Sequence, residues 1–97
     1  MVNVHRGEIE AELGGRTRKL RLTLGALAEL EAACGEEDLL SLITRLEQGR
    51  ISAKDCIAVL RAGLQGAGEE VDEAEVADFG PQSIGVVVRL LEAAFAT

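Results

Sequence analysis

The chain contains no tryptophan and no tyrosine, and Phe79 and Phe95 are its only aromatic residues. It also has a single proline and a single histidine among 97 residues. Since 47% of the residues are hydrophobic, the interior must be built mostly from Leu, Ile, Val and Ala. Such a core offers few of the rigid rings with which proteins line pockets for aromatic ligands.

Residues suited to catalysis are equally scarce. His5 is the only histidine, and it has no Ser or Cys neighbour that it could activate as a nucleophile. Acidic residues at 36–38 suit a helix N-terminus, and those at 69–78 lack the ligand spacing of a calcium loop. We therefore predict a non-enzymatic protein without catalytic residues, metal or cofactor. An enzyme or regulator that binds a metal through residues 69–78 is the alternative.

Cysteine is limited to Cys34 and Cys56, each within an apolar helical pattern. We predict two small buried side chains rather than a disulfide or metal pair, because neither CxxC nor HxxxH spacing occurs. No segment has the length of a membrane span, and the N-terminus lacks the apolar part of a signal peptide. These features predict a cytoplasmic protein.

The net charge of −7 disfavours several classes of partner. Nucleic-acid binding gains most of its affinity by neutralising phosphates, and anionic membranes repel an acidic surface. Four basic residues cluster within 16–21, but the balance of the chain remains strongly acidic. We predict neither a nucleic-acid partner nor a membrane partner.

Alternating patterns predict a β-hairpin over residues 8–24. Acidic and apolar residues alternate at 8–13, and Gly14-Gly15 suits a two-residue turn that requires positive φ angles. A single pairing register suits both faces of the hairpin. On one face it places opposite charges across from each other, and on the other face it pairs apolar residues. Its pairs are Glu8 with Arg21, Ile9 with Leu20, Glu10 with Lys19, Glu12 with Thr17 and Leu13 with Arg16.

The hydrophobic period changes to about 3.6 residues where the hairpin ends. Leu24, Leu27 and Leu30 then share one predicted helical stripe, and Thr23 suits the N-cap. This first helix is predicted to stop at Gly35. A second helix follows, with Asp38 as its N-cap, and ends at Gly49.

Three later segments are also predicted to be helical. Ser52 begins a third helix that includes Leu64 and ends among Gly63, Gly66 and Gly68, so a mobile loop is predicted at 65–70. Asp72, with Glu75 three residues later, begins a short segment over 72–78. The last helix begins at Pro81 and runs to about residue 96. Its predicted apolar stripe consists of Ile84, Val87, Val88, Leu91, Ala94 and Phe95.

These elements predict the α+β class: an N-terminal β-hairpin packed on a small bundle of four to five helices. A chain of 97 residues suits one core, so we predict a single domain over residues 1–97, with its helical part at 24–96. An isolated hairpin is only marginally stable, so its apolar face is expected to rest on the helices.

Three collinear blocks resemble the gene transfer agent tail protein family. They are HRGE at 5–8, LRLTLGALAELEAACG at 20–35 and GRISAKDCIAVLRAGLQGAG at 49–68. Members of this family are encoded among phage-derived tail genes and carry two labels, tail tube protein and tail assembly chaperone. The family brings no catalytic residues. Cys34 and the GPQSIG segment at 80–85 depart from the family pattern.

The resemblance implies a role in tail assembly for a gene transfer agent or prophage. Tube subunits are usually larger and β-rich, so we favour a non-enzymatic tail assembly chaperone that binds the tape measure protein, the tail tube protein or both. The alternative is a minor structural component, tube or connector, that stays in the particle. The sequence leaves homo-oligomerisation open.

An apolar helical surface is the expected means of binding a partner. The candidate residues lie on the second and the last helix: Leu39, Ile43, Val87, Leu91 and Phe95. The competing interpretation is that these side chains simply form the core.

Overall fold

A computed structural model describes residues 7–33, 39–80 and 82–95. The chain begins with an antiparallel ribbon of two strands, β1 (Glu8–Leu13) and β2 (Arg16–Arg21). The predicted register is confirmed at every pair, and Gly14 and Gly15 in the turn have φ angles of 64° and 83°. The charge and hydrophobic patterns of the sequence therefore specify the ribbon.

Five helices follow the ribbon, which confirms the α+β class. They are α1 (Leu24–Ala33), α2 (Leu39–Glu47), α3 (Ala53–Gly66), α4 (Glu73–Ala77) and α5 (Ser83–Phe95). None of the helices in the described part of the chain has the length and hydrophobicity needed to cross a bilayer.

Side-chain caps begin three of these helices. The Thr23 hydroxyl accepts from the Ala26 N–H at 3.0 Å, and the Ser52 hydroxyl accepts from the Asp55 N–H at 3.1 Å. Asp72 caps α4 in the same way, with its carboxylate 2.7 Å from the Glu75 nitrogen. All three caps confirm the predicted helix starts. Asp38 and Pro81 lie outside the described residues, and α5 itself begins at Ser83.

One hydrophobic core joins the inner face of the ribbon to the helices. Its fully buried side chains come from both strands and from four helices, so the ribbon rests on the bundle as expected. The largest are Leu13, Leu20, Leu30, Leu42, Val59, Leu60, Leu64, Val87 and Leu90.

Two predicted core positions were wrong. Leu24 is 85% exposed, because α1 turns Ala26 and Leu30 toward the core and leaves Leu24 on its outer side. Ile84 is 47% exposed, because α5 is rotated so that it buries Val86 beside Val87. In both helices the apolar pattern was wider than the surface available to cover it.

The loop predicted at 65–70 begins later in the structure, because α3 continues to Gly66. A side chain at Gly63 would place its Cβ 2.5 Å from Leu90 Cδ2, and one at Gly66 would collide with the Arg21 carbonyl oxygen. These glycines therefore allow α3 to approach the ribbon and α5 closely, whereas the sequence pattern suggested a helix terminus.

Candidate partner-binding groove

The second helix is fixed on the bundle by one deeply buried residue and one ion pair. Leu42 is fully buried, and Arg45 Nη1 lies 3.0 Å from Asp55 Oδ2 near the start of α3. Ile43 and Leu46, on the side of α2 next to this anchor, are only half-buried. Consequently α2 presents apolar surface that the other described residues do not fully cover.

The last helix provides the facing wall. Leu91 is 2% exposed, whereas Val88, three residues earlier, is half-buried. The two helices enclose an open groove of about 380 Å³. Its lining residues are Ile43, Leu46, Glu47, Val88, Leu91 and Glu92. The groove thus has four aliphatic side chains and a carboxylate on each helix.

The five candidate residues have different positions in the structure. Ile43 and Leu91 both line the groove. Val87 is fully buried in the core, and it contributes no surface to the isolated domain. The side chains of Leu39 and Phe95 lie outside the described set. Partner binding by these residues stays a prediction.

Sequence reasoning missed four of the groove residues. Leu46 and Val88 each lie three residues from a candidate on the same helix, so helical spacing from Ile43 and from Leu91 would have found them. Nothing in the sequence distinguished Glu47 and Glu92 from the rest of the 17 acidic residues.

A buried cation lies under the ribbon, and the sequence analysis had treated it as part of a basic cluster. The Arg18 side chain is only 4% exposed, and its Nε donates to the Leu13 carbonyl at 2.9 Å. Its Nη2 donates to Glu75 Oε2 at 2.9 Å, and its guanidinium carbon lies 5.1 Å from the centre of the Phe79 ring. Strand alternation, which puts Arg18 on the same face as Leu20, is the signal that could have identified it.

The acidic segment at 69–78 is engaged by basic and backbone groups. Glu69 accepts from the Lys19 N–H at 3.1 Å and lies 3.6 Å from Arg16. Glu73 lies 3.6 Å from Arg61. Within residues 7–33, 39–80 and 82–95, no group of three His, Cys, Asp or Glu side chains is arranged to hold a metal ion. Glu69 therefore connects the loop before α4 to β2, and Glu73 forms an exposed ion pair with α3.

Cys56 is a buried free thiol, as predicted. Burial raises the pKa of the Cys56 thiol above its ordinary value, and the nearby Asp55 carboxylate raises it further. A thiol that stays protonated is a poor nucleophile, so this site is not arranged for catalysis. Cys34 and His5 lie outside the described residues.

Comparison with protein families gave one informative match. A family model described as "Phage tail tube protein, GTA-gp10" matches residues 6–97, which include all seven helices and strands described above. Comparisons with curated proteins and with solved structures gave no match.

Proposed function

The chain belongs to the phage tail tube protein family GTA-gp10, and on that basis we propose that it is a structural component of a phage-type tail. The family match carries this proposal, since it extends over nearly the whole chain. The family description favours the alternative given above, a component retained in the particle, over the chaperone that the sequence analysis preferred. The proposed role is non-enzymatic and depends on contacts with other tail proteins.

The groove between α2 and α5 supports such contacts. Its aliphatic floor suits an apolar segment of another protein, because covering Ile43, Leu46 and Val88 removes their remaining surface from water. Glu47 and Glu92 at its rim favour a partner segment with Lys or Arg beside the apolar residues. A helix with this composition fits a groove formed by two helices.

Purified tail particles provide the first test. Mass spectrometry should find this chain in intact particles, in many copies for a tube subunit and in few copies for a connector. Its absence from particles that carry the other tail proteins would contradict a retained component.

Charge reversal tests the groove. The double variant Glu47→Lys/Glu92→Lys should reduce incorporation into particles, because the rim would then repel a basic partner. The matched control is Glu31→Lys/Glu70→Lys, which makes the same charge change at exposed positions away from the groove. Equal incorporation of both variants would exclude the groove as the contact.

Tail assembly chaperone is the second candidate function, and the ribbon favours it. A tube usually closes its subunits into a ring of sheets, whereas the described residues contain one sheet of two strands. Co-purification with the tape measure protein or the tail tube protein, together with absence from finished particles, is the expected result for a chaperone. Presence in washed particles would decide against it.

A further inference from the structure

The outward-facing backbone groups of the ribbon can be identified from two hydrogen bonds. The Glu10 carbonyl accepts from Arg89 Nη2 at 2.7 Å, and the Lys19 N–H donates to Glu69 Oε2 at 3.1 Å. Glu10 and Lys19 face one another across the ladder. The backbone groups of both residues point away from the opposite strand, so Glu10 and Lys19 form a non-hydrogen-bonded pair.

The outer edge of β2 is closed by the fold itself. The α3 backbone at Gly66 packs against the Arg21 carbonyl, and Glu69 takes the Lys19 N–H. Glu69 also lies 3.6 Å from Arg16. An added strand would have to displace the end of a helix from this edge.

The outer edge of β1 is approached by the α5 backbone at Gly7, where a Cβ would lie 3.4 Å from the Ala93 carbonyl oxygen, and by a side chain at Glu10. Arg89 extends from α5 along the surface, where its hydrogen bond to the Glu10 carbonyl is exposed. Because backbone groups alternate along a ladder, the N–H and C=O of Glu12 also point outward. An exposed side chain can move aside at little cost, whereas a helix end cannot.

We propose that the outer edge of β1 binds an extended segment of another protein in which Lys or Arg alternates with apolar residues. An added strand would take over the Glu10 carbonyl from Arg89 and pair with the backbone of Glu12. Its basic side chains would lie beside the acidic side chains of β1 on the outer face of the sheet. This proposal is independent of the α2/α5 groove.

The charges of β1 also exclude a second copy of β1 as the added strand. A second copy of β1 added in antiparallel register would place glutamates beside glutamates, which destabilises strand pairing. The neighbouring strand must therefore bring the opposite charge. We expect the chain alone to show no self-association through this edge.

A synthetic peptide of alternating Lys and Val residues is the probe. Its binding to the full chain is measured by fluorescence anisotropy, and the site by ¹⁵N chemical shifts. A control peptide of the same composition carries all its Lys residues at one end. The alternating peptide should bind more tightly and should shift the amide signals of residues 8–13. Equal binding of both peptides, or shifts confined to other regions, would overturn the proposal.

Three variants examine the contacts separately. Glu12→Lys should weaken binding about fivefold through the reversed cross-strand charge. Glu12→Pro should weaken it further, because it removes an outward N–H that the ladder with β2 does not use. Arg89→Ala should instead tighten binding roughly threefold, because it frees the Glu10 carbonyl and removes a competing cation.

Glu31→Lys on α1 makes the same change in overall charge as Glu12→Lys and serves as its control. It should change the affinity for the alternating peptide by less than twofold. Circular dichroism confirms that each variant remains folded. If Glu12→Pro unfolds the ribbon, Glu12→Lys and Arg89→Ala decide the matter, since both changes lie on exposed side chains. Weaker binding by Arg89→Ala, or equal losses for Glu12→Lys and Glu31→Lys, would refute strand addition at this edge.

Discussion

Replacing Glu75 with alanine tests whether its carboxylate offsets the free-energy cost of burying the Arg18 guanidinium. The Arg18 side chain is 4% exposed, whereas that of Glu75 is 45% exposed. Removing the carboxylate would leave a buried guanidinium with the Leu13 carbonyl and the Phe79 ring as its remaining contacts. The cation cannot lose its charge to relieve this cost.

The expected magnitude follows from these exposures. Breaking a fully buried ion pair from one side costs about 3–5 kcal/mol. Since Glu75 is half exposed, water can reach the freed nitrogen, and we expect Glu75→Ala to lower the free energy of unfolding by about 2 kcal/mol. For a domain of this size that corresponds to a decrease in Tm of roughly 8–16 °C.

Arg18→Met provides the decisive comparison. It removes the buried cation, fills much of the same space with a flexible apolar chain, and leaves Glu75 free to be hydrated. We therefore expect the free energy of unfolding to change by no more than about 1 kcal/mol in either direction. Removing the half-exposed partner should thus destabilise the domain more than removing the buried one.

Urea denaturation followed by circular dichroism measures both changes. Glu73→Ala is the matched control on α4, because its partner Arg61 lies 3.6 Å away and both side chains are well exposed. It should alter the free energy of unfolding by less than about 0.5 kcal/mol. A larger loss for Arg18→Met than for Glu75→Ala would refute the reasoning.

Two further predictions concern packing and titration. Gly66→Ala should lower the free energy of unfolding by at least about 2 kcal/mol, because its Cβ would meet the Arg21 carbonyl. Gly85→Ala places its Cβ in open space within α5 and should raise the free energy of unfolding by about 0.5–1 kcal/mol. Thermal melts of both variants measure these changes, and equal shifts in Tm would contradict the close approach of Gly66 to the Arg21 carbonyl. Because the pKa of Cys56 is raised in the folded chain, stability should be constant below the unfolded value of 9.0 and fall as pH rises above it. The measurement is the urea midpoint as a function of pH in a Cys34→Ser background, which leaves Cys56 as the one thiol. The midpoint should fall above pH 9.0, and adding Cys56→Ala should abolish this fall.

Local chemistry made much of the fold predictable. The ribbon register follows from alternation and charge within residues 8–21, and the three helix caps followed from side chains three residues away from the N–H groups they bind. These interactions need no knowledge of the rest of the molecule. Accordingly, the sequence predicted them at the correct positions.

Errors arose where a distant element decides the outcome. Leu24 and Ile84 satisfy helical periodicity, but the bundle covers neither of them. Gly63 looked like a helix end because its close neighbour, Leu90, is distant in sequence. The groove combines residues from α2 and α5, and periodicity within one helix gave no sign that Glu47 and Glu92 line the same groove.

The sequence separation of Arg18 and Glu75 has a consequence for synthesis on the ribosome. The two residues are 57 positions apart, so the nascent ribbon is made long before the carboxylate that neutralises its guanidinium. Until α4 emerges, burying the inner face of the ribbon would desolvate an uncompensated positive charge. We therefore expect the two strands to complete their folding only after α4 has been translated.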